Sequence, residues 1–360
     1  MTLLVSVAPW MWRQGDAPAR PHVVADGVLG NWLWWDGGWY VQIAQHGYTF
    51  HAHQQSSVAF FPAYPMTVRA LGALLPGGVA LAAIVLTMLS GCAALLLFQR
   101  WCRKRMSRGA TTAAVLALAL YPYAWFLYGA AYSDALFLTA TLAAFLMLEN
   151  DRPIAAGLAG MLATAARPTG LVVIIGLTAV MLDRRGALTD IRRRLRPRDL
   201  GIALAALGLL SWCGWLWVRF GHPFAFIETE GAKGWDRSPG LSTWLKFDFF
   251  SRVASGSLWA WVPDAIQGGL CVAFAAAVPA ISRRFGRGYA IYVLAAVAVP
   301  AVSTGDFMGS GRYLLTAFPV FALVGSLLAD ARRARWTYLG TSSAALALGT
   351  SLFATGHLLT

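Results

Sequence analysis

Residues 79–99 read VALAAIVLTMLSGCAALLLFQ, a stretch without a single charged side chain. Because an α-helix needs about 20 apolar residues to cross about 30 Å of hydrocarbon, this stretch predicts a membrane-spanning helix. Further apolar runs occupy 111–129, 132–148, 154–182, 200–219, 258–280, 289–304, 313–329 and 337–357. The run 154–182 contains Arg167-Pro168, which predicts two half-length helices that meet at a kink. The sequence therefore predicts an all-α polytopic membrane protein, one integral membrane domain over residues 1–360. We expect about 9–10 transmembrane or half-membrane helices.

The composition excludes other classes of protein. Hydrophobic residues make up 58% of the 360 residues and charged residues only 12%, whereas soluble domains carry about 25% charged residues. Disordered chains are excluded for the same reason. The net charge of +13 does not indicate nucleic-acid binding, because the basic residues lie in short loops between apolar runs. The four cysteines form no CxxC pair, so neither a disulfide framework nor a zinc site is indicated.

The charges predict which loops face the cytoplasm. Loops 100–108, 149–153, 183–199, 281–287 and 330–335 hold 19 of the 29 Lys and Arg residues and 6 of the 16 Asp and Glu residues. By the positive-inside rule these loops are cytoplasmic, provided that 154–182 goes partway across the membrane and returns. The extracytoplasmic side then contains the long loops 13–78 and 220–257, both rich in aromatic residues, and the shorter segments near 130–133 and 304–312.

The first long loop contains the strongest catalytic candidate. It reads WDGGWY over 35–40 and IAQHGY over 43–48. Aromatic neighbours exclude water from the Asp36 carboxylate and make it a better proton acceptor, and the glycines let the backbone approach a ligand closely. These are properties of a general base. The alternative is that Asp36 only starts a helix.

Three further motifs contain candidate substrate-binding residues, each with a structural alternative. FFPAYP over 60–65 predicts a rigid extended segment or an interfacial anchor. YSD over 132–134 places Asp134 at the start of a span, where it serves a substrate, caps the helix or pairs with Arg167. Arg167 lies in an apolar run and needs a carboxylate or a ligand phosphate as its partner.

The later extracytoplasmic segments contain the remaining candidates. FGHPFAF over 220–226 precedes Glu228, Glu230, Lys233 and Trp235 and predicts an amphipathic helix at the membrane interface. Arg312-Tyr313 opens a span, where Arg312 holds a lipid phosphate or merely anchors the helix at the interface. His46, His51 and His53 are a weak metal signal without an accompanying carboxylate cluster, and no nucleotide-binding glycine motif occurs.

The order of these motifs resembles the PIG-V (GPI mannosyltransferase 2) family of the GT-C superfamily of membrane glycosyltransferases. The resemblance extends from Trp34 to Pro319, and the first loop and Arg312-Tyr313 are its most specific parts. The family's first span is normally complete, so the short apolar segment 1–12 suggests a truncated or mis-started N-terminus. The family more often has Glu where this chain has Asp134. The Arg-rich and Ala-rich composition is typical of a bacterial protein, in which the acceptor differs from a GPI precursor.

The resemblance implies an inverting transferase that moves a sugar, most simply mannose, from a polyprenyl-phosphate carrier to an extracytoplasmic glycan or glycolipid. Asp36 matches the family's catalytic base. The anionic carrier phosphate is expected to bind Arg312, Tyr313, Arg167, His222 and Lys233. Expected substrate-lining residues are Trp35, Trp39, Tyr40, His46, Tyr48, Phe61, Tyr64, Asp134 and Trp235. Partners would be membrane lipids and no nucleic acid, and neither a cofactor nor a divalent metal is expected.

Two other functions remain open at the level of the sequence. A transporter or flippase for a lipid-linked or small polar substrate fits the broken helix at Arg167-Pro168, although no related second broken helix accompanies it. A non-catalytic scaffold would use the aromatic loops as docking surfaces, but it would gain nothing from a carboxylate between tryptophans.

Overall fold

The computed structural model of the chain describes residues 1–11, 27–188, 195–235, 237, 240–256 and 258–357. Parts of the predicted loops 13–78, 183–199 and 220–257 therefore lie outside the described residues. The α-helices are α1 (Thr2–Met11), α2 (Gly27–Gly30), α3 (Asp36–His46), α4 (Ala63–Gly72), α5 (Gly78–Arg103), α6 (Arg108–Ala119), α7 (Asp134–Glu149), α8 (Pro153–Ala166), α9 (Leu171–Arg184), α10 (Leu207–Phe220), α11 (Ala225–Glu230), α12 (Leu241–Trp244), α13 (Phe247–Ala254), α14 (Leu258–Ala276), α15 (Val278–Phe285), α16 (Arg287–Ser303), α17 (Ser310–Tyr313), α18 (Phe318–Leu328) and α19 (Arg332–Ala354).

The predicted all-α membrane fold is confirmed, since the described residues contain helices and no strand. Within them, three helical stretches are long and apolar enough to cross a membrane by themselves: Gly78–Arg103, Pro197–Phe220 and Trp261–Phe285. A fourth candidate is the pair Ser310–Thr316 and Phe318–Leu328, which is bent by 78°. Several predicted spans are shorter apolar helices, so the chain combines full spans with half-length elements.

The predicted break at Arg167-Pro168 is present. Helix α8 ends at Ala166, Arg167 is extended with φ −156° and ψ 149°, and a 3-10 turn precedes α9. The two helices lie side by side, because a Cβ on Gly160 of α8 would be 3.2 Å from Cδ1 of Leu177 on α9. Each has 14 residues, which is about 21 Å and too short for a full span. The prediction that residues 154–182 go partway across the membrane and return requires a hairpin of this kind.

Two sequence predictions about helix placement need correction. The run 111–129 is not one helix, because α6 ends at Ala119 and Pro122 disfavours helical geometry in the residue before it. A separate 3-10 turn follows at Ala124–Leu127. Instead of an amphipathic helix over 220–235, the described residues form only the short α11 there, and the strongly amphipathic helix described within the loop 220–257 is α13.

The chain divides into two compact units. The first comprises Met1–Tyr48, Phe60–Leu142 and Val324–Leu359, and the second comprises Thr49–Ala59 and Ala143–Leu323. Small residues permit close helix contacts in both, as is common between membrane helices. In the first unit, a Cβ on Gly91 would lie 2.0 Å from the Leu127 carbonyl oxygen. In the second, a Cβ on Gly157 would lie 2.0 Å from the Gly201 carbonyl oxygen.

Candidate active site

In the first unit, Asp36 is the first residue of α3 and is half-buried. The residue before it, Trp35, has φ 58° and ψ −121°, a conformation that is unfavourable for a side chain of this size. Both neighbouring backbone groups bond to one hydroxyl: the Asp36 N–H donates to Tyr132 Oη (3.2 Å), and Tyr132 Oη donates to the Trp34 carbonyl (3.2 Å). We call residues 34–36 with Tyr132 the Asp36 turn. Its backbone is fixed by a side chain 96 residues away in sequence.

Aromatic side chains surround α3 on its buried side. Trp39 stacks on Phe60 with ring centroids 5.8 Å apart. Tyr40 meets the edges of Phe60 at 5.1 Å and Tyr64 at 5.0 Å, and its hydroxyl is 2.8 Å from Ser133 Oγ. These contacts bring motifs from three parts of the sequence into one packed layer.

Several predicted substrate-lining residues of the first unit are packed in its interior. Phe61 is 1% exposed and Tyr64 is 0% exposed, and the Tyr64 hydroxyl bonds to the Ala83 carbonyl (2.9 Å) and to Thr87 Oγ1 (2.8 Å) of α5. Tyr48 donates to the Phe60 carbonyl at 3.0 Å. His46 is exposed at the end of α3, and Asp134 is buried at the start of α7.

In the second unit, three arginines gather around one phenol. Arg312 Nη2 donates to Tyr313 Oη at 3.2 Å, and Arg237 Nη1 donates to the same oxygen at 3.3 Å. The Arg167 guanidinium carbon lies 4.6 Å from the centroid of the Tyr313 ring. We call Arg167, Arg237, Arg312 and Tyr313 the Tyr313 cluster.

Among the described residues, the Tyr313 cluster contains three guanidinium groups, and the carboxylate of Glu230 lies beside it, with its Oε2 3.3 Å from Arg237 Nη1. Arg167 and Arg312 are 7% and 4% exposed, so two guanidinium groups are largely removed from water. Guanidinium groups in such a setting form strong, directional hydrogen bonds with phosphate oxygens. The cluster therefore has the chemistry of a phosphate-binding site.

A buried amide holds the backbone of the cluster in place. Gln267 Oε1 accepts a hydrogen bond from the Gly311 N–H at 3.0 Å, and Gln267 is 1% exposed. Helix α17 contains only four residues, so this bond fixes a segment that its own helical bonds cannot.

The other predicted residues of the second unit lie near Thr49–Ala59, the part of the first long loop that belongs to the same unit. The His222 ring lies 5.6 Å from Phe50, and the Lys233 carbonyl accepts a bond from Gln55 Nε2 at 3.4 Å. Glu228 Oε1 accepts the His53 N–H at 3.2 Å. Thus Arg167, Arg312 and Tyr313 come together as expected of a shared site, whereas His222 and Lys233 border a loop contact. Trp235 is half-buried in the second long loop, 220–257.

Sequence reasoning missed Arg237 and the role of Tyr132. Arg237 lies in a polar loop of the sequence and belongs to no recognised motif. Tyr132 was part of a recognised motif, but its bonds to the Asp36 turn depend on folding. Among the described residues, no group of three or more His, Cys, Asp or Glu side chains could hold a metal ion. Independence from metal stays a prediction.

Comparison with known proteins finds a family and several relatives. The family described as Mannosyltransferase (PIG-V) matches residues 15–216. Proteins described as GPI alpha-1,6-mannosyltransferase 2 from Cricetulus griseus and Mus musculus are 32% identical over 161 and 159 residues, which are 42% and 41% of this chain. The match spans about a third of their length, 32% and 31% respectively.

A solved structure resembles the chain almost from end to end. The crystal structure of ArnT from Cupriavidus metallidurans bound to undecaprenyl phosphate superposes with a TM-score of 0.54. The superposition covers 99% of this chain and 76% of the ArnT chain, at 16% sequence identity. At this level of identity the likeness concerns the fold, which is that of the GT-C membrane glycosyltransferases.

Proposed function

The chain belongs to the Mannosyltransferase (PIG-V) family, and we propose that it transfers mannose from a polyprenyl-phosphate carrier to a glycan or glycolipid. We place this reaction on the extracytoplasmic side of a bacterial cell membrane, because the excess positive charge lies in the opposite set of loops. The acceptor differs from a GPI precursor and is a sugar hydroxyl accessible from that side.

The Tyr313 cluster is the observation that carries the proposal. A polyprenyl-phosphate sugar stores its transfer energy in the bond between the anomeric carbon and a phosphate oxygen, so no nucleotide is needed. As that bond breaks, negative charge grows on the phosphate. Preorganised guanidinium groups stabilise such developing charge in a site with little water. Arg167, Arg237 and Arg312 supply them within one cluster.

Asp36 acts as the general base. The acceptor hydroxyl attacks the anomeric carbon from the face opposite the phosphate, a new carbon–oxygen bond forms, and the bond to the phosphate oxygen breaks. The hydroxyl proton passes to the Asp36 carboxylate, and the polyprenyl phosphate leaves with the electron pair. Because one displacement occurs, the configuration inverts and one carboxylate suffices, in contrast to a retaining mechanism with a nucleophile.

The aromatic residues near Asp36 bind the sugars. Trp35 and Trp39 are half-buried, and they present flat faces against which a pyranose ring packs. The Trp35 indole N–H is buried and has no acceptor among the described residues, so it is suited to donate to a sugar hydroxyl. Tyr40, whose hydroxyl bonds to Ser133, keeps α3 in place beneath them.

The test is a turnover assay with purified protein in nanodiscs. Radiolabelled polyprenyl-phosphate-mannose is supplied with a lipid and glycan extract of the host, and the wild type is compared with Asp36→Asn and with Asp330→Asn. Asp330 is an exposed carboxylate of the basic loop 330–335, so its variant is the matched control. We expect label in a new product with the wild type and the control, and none with Asp36→Asn. Full turnover by Asp36→Asn would refute the role of Asp36.

The same assay addresses the sugar and the metal. Replacing mannose by other sugars on the same carrier identifies the donor, and turnover in the presence of a chelator shows whether a divalent ion is needed. We expect mannose to be transferred and the chelator to have no effect.

The α8–α9 hairpin favours one second candidate, a transporter or flippase for a lipid-linked substrate. Short helices that meet at a buried break are common at transport sites. A transporter would move the labelled lipid across sealed vesicles without forming a new product. Transfer of label to an acceptor by the wild type in nanodiscs, which have no separate compartments, would exclude transport as the explanation.

A further inference from the structure

Two charged side chains of helix α13, the half-buried Arg252 and the exposed Asp248, contact other parts of the protein. Arg252 Nη1 pairs with Asp264 Oδ2 at 2.8 Å, and Arg252 Nη2 pairs with Asp306 Oδ2 at 2.7 Å. Asp248 packs so closely on the loop before α17 that a Cβ on Gly305 would be 2.1 Å from its Oδ2. Ion pairs and close packing therefore hold this charged side of the helix, which would face the solvent in a soluble amphipathic helix.

The opposite face of α13 is apolar and exposed. Phe247, Phe250 and Val253 follow one another at helical spacing and are 56%, 59% and 39% exposed. The segment just before continues this surface with the exposed side chains Leu241, Trp244 and Leu245. We call these six residues the α13 apolar face. Large apolar side chains exposed together in one short stretch mark a binding surface rather than a face toward water.

Helix α14, which follows α13 in the sequence, also exposes large apolar side chains. Helix α14 begins four residues after α13 ends, and the candidate span Trp261–Phe285 starts within it. Leu258, Ile266 and Val272 on α14 are 64%, 56% and 70% exposed, as expected of a helix in contact with acyl chains. Because α13 ends a few residues before this candidate span begins, we expect it to lie at the level of the lipid headgroups.

We propose that the α13 apolar face binds the membrane lipids themselves, with its side chains in the boundary between headgroups and acyl chains. The partner is the bulk bilayer rather than a second protein. Exposed phenylalanine, leucine and tryptophan on a short helix and in the segment just before it, with charged residues on the other side of the helix, are the composition of an interfacial element. This surface also fixes the neighbourhood of the Tyr313 cluster, because Arg252 on its polar side pairs with Asp306 in the loop that leads to Arg312.

The proposal is tested by spin labels placed at two positions of α13. The accessible native cysteines are replaced (Cys92→Ala and Cys213→Ala), and single labels are introduced through Phe250→Cys or, as the matched control, Ser251→Cys. Ser251 is exposed on the same helix, about 100° around the helix axis from Phe250 and between Phe247 and Asp248. The protein is placed in nanodiscs of equal parts phosphatidylcholine and phosphatidylglycerol, one copy per disc. Relaxation by oxygen, which collects in lipid, is compared with relaxation by a water-soluble nickel complex.

We expect the ratio of oxygen to nickel accessibility to be higher at Phe250 than at Ser251. Equal ratios, or a higher ratio at Ser251, would overturn the proposal. Low accessibility to both reagents at Phe250, or line broadening between labels when two copies share a disc, would indicate a protein partner and would also overturn it. Val253→Cys replaces Phe250→Cys if that variant does not keep the unfolding temperature of the parent. The labels report on the surface irrespective of turnover, so the result does not depend on the proposed reaction.

Discussion

Tyr132→Phe should impair catalysis more than it weakens donor binding. The substitution keeps the buried ring, which is 1% exposed, and removes only the hydroxyl that bonds to the Asp36 N–H and the Trp34 carbonyl. A hydrogen bond contributes about 0.5–1.5 kcal/mol net, so two bonds amount to about 1–3 kcal/mol. Trp35, which lies between the two bonded groups, has φ 58°, and such a conformation costs about 1–3 kcal/mol and persists only where neighbours hold it.

The free energy supplied by the two hydrogen bonds and the conformational cost of Trp35 are similar, so losing the bonds allows the Asp36 turn to relax. If the productive turn becomes the minor conformation by about 1–3 kcal/mol, kcat falls about fivefold to 150-fold, since 1.36 kcal/mol is a factor of ten in rate. The KM for the donor should change less than kcat, because the carrier phosphate is bound by the Tyr313 cluster and not by the Asp36 turn. Steady-state kinetics with the transfer assay measure both constants.

The control variant for this experiment is Tyr128→Phe. Tyr128 lies in the same unit, and its hydroxyl donates to the Ala119 carbonyl at 2.5 Å. This substitution also removes a hydroxyl bonded to the backbone, so it reproduces the loss of stability without touching the Asp36 turn. Equal kcat for both variants, at similar unfolding temperatures, would refute the idea that Tyr132 positions Asp36.

Three further predictions concern binding and stability. Arg237→Gln should weaken binding of a polyprenyl phosphate by about tenfold to a hundredfold, as expected for a charged hydrogen bond, and Arg237→Lys should restore it only in part; equilibrium binding measurements that give unchanged affinity would remove Arg237 from the site. Gly91→Ala should lower the unfolding temperature, because its Cβ would meet the Leu127 carbonyl oxygen at 2.0 Å, whereas Gly109→Ala, with nothing within 4 Å, should not; equal melting curves would contradict this packing. Desolvation raises the pKa of Asp151, but the hydrogen bond from Arg185 and further guanidinium charges outweigh it and hold the pKa below its usual value. A carboxyl group whose pKa is lowered by folding stabilises the folded state above its unfolded-state pKa, and this stabilisation is lost as the pH falls through the folded-state pKa. Asp151→Asn should therefore lower the unfolding temperature at neutral pH and have no effect in strong acid. An equal effect at both pH values would contradict the ion pairs as its cause.

The membrane fold was predictable because its signal is local. A long uncharged run such as 79–99 has few alternatives to a spanning helix, and α5 occupies Gly78–Arg103. The break at Arg167-Pro168 was predictable for the same reason, since proline lacks the N–H that the helix needs. The end of α6 was missed because the run 111–129 stays apolar through Pro122, and hydropathy alone does not register a change from helix to turn.

The residues of the candidate site were predictable from the sequence only where they belonged to a motif. Arg312-Tyr313 was found because an arginine opens an apolar run, and Asp36 because tryptophans and glycines flank it. Arg237 lies in a polar loop where an arginine is ordinary, and its contact with Tyr313 spans 76 residues. The amphipathic helix was placed too early because aromatic residues alone do not distinguish α11 from α13.

The two candidate groups are held by the same physical device. In the first unit, the Tyr132 hydroxyl accepts the Asp36 N–H, and in the second, Gln267 Oε1 accepts the Gly311 N–H beside Arg312. Asp36 stands at the first position of its helix, and Arg312 lies in a helix of four residues, so neither backbone is secured by the helical bonds of a long element. A buried side chain from a neighbouring part of the fold supplies the missing acceptor in each case. Chemistry-bearing residues can thus lie at the ends of short helices, close to a substrate, and still keep a defined position.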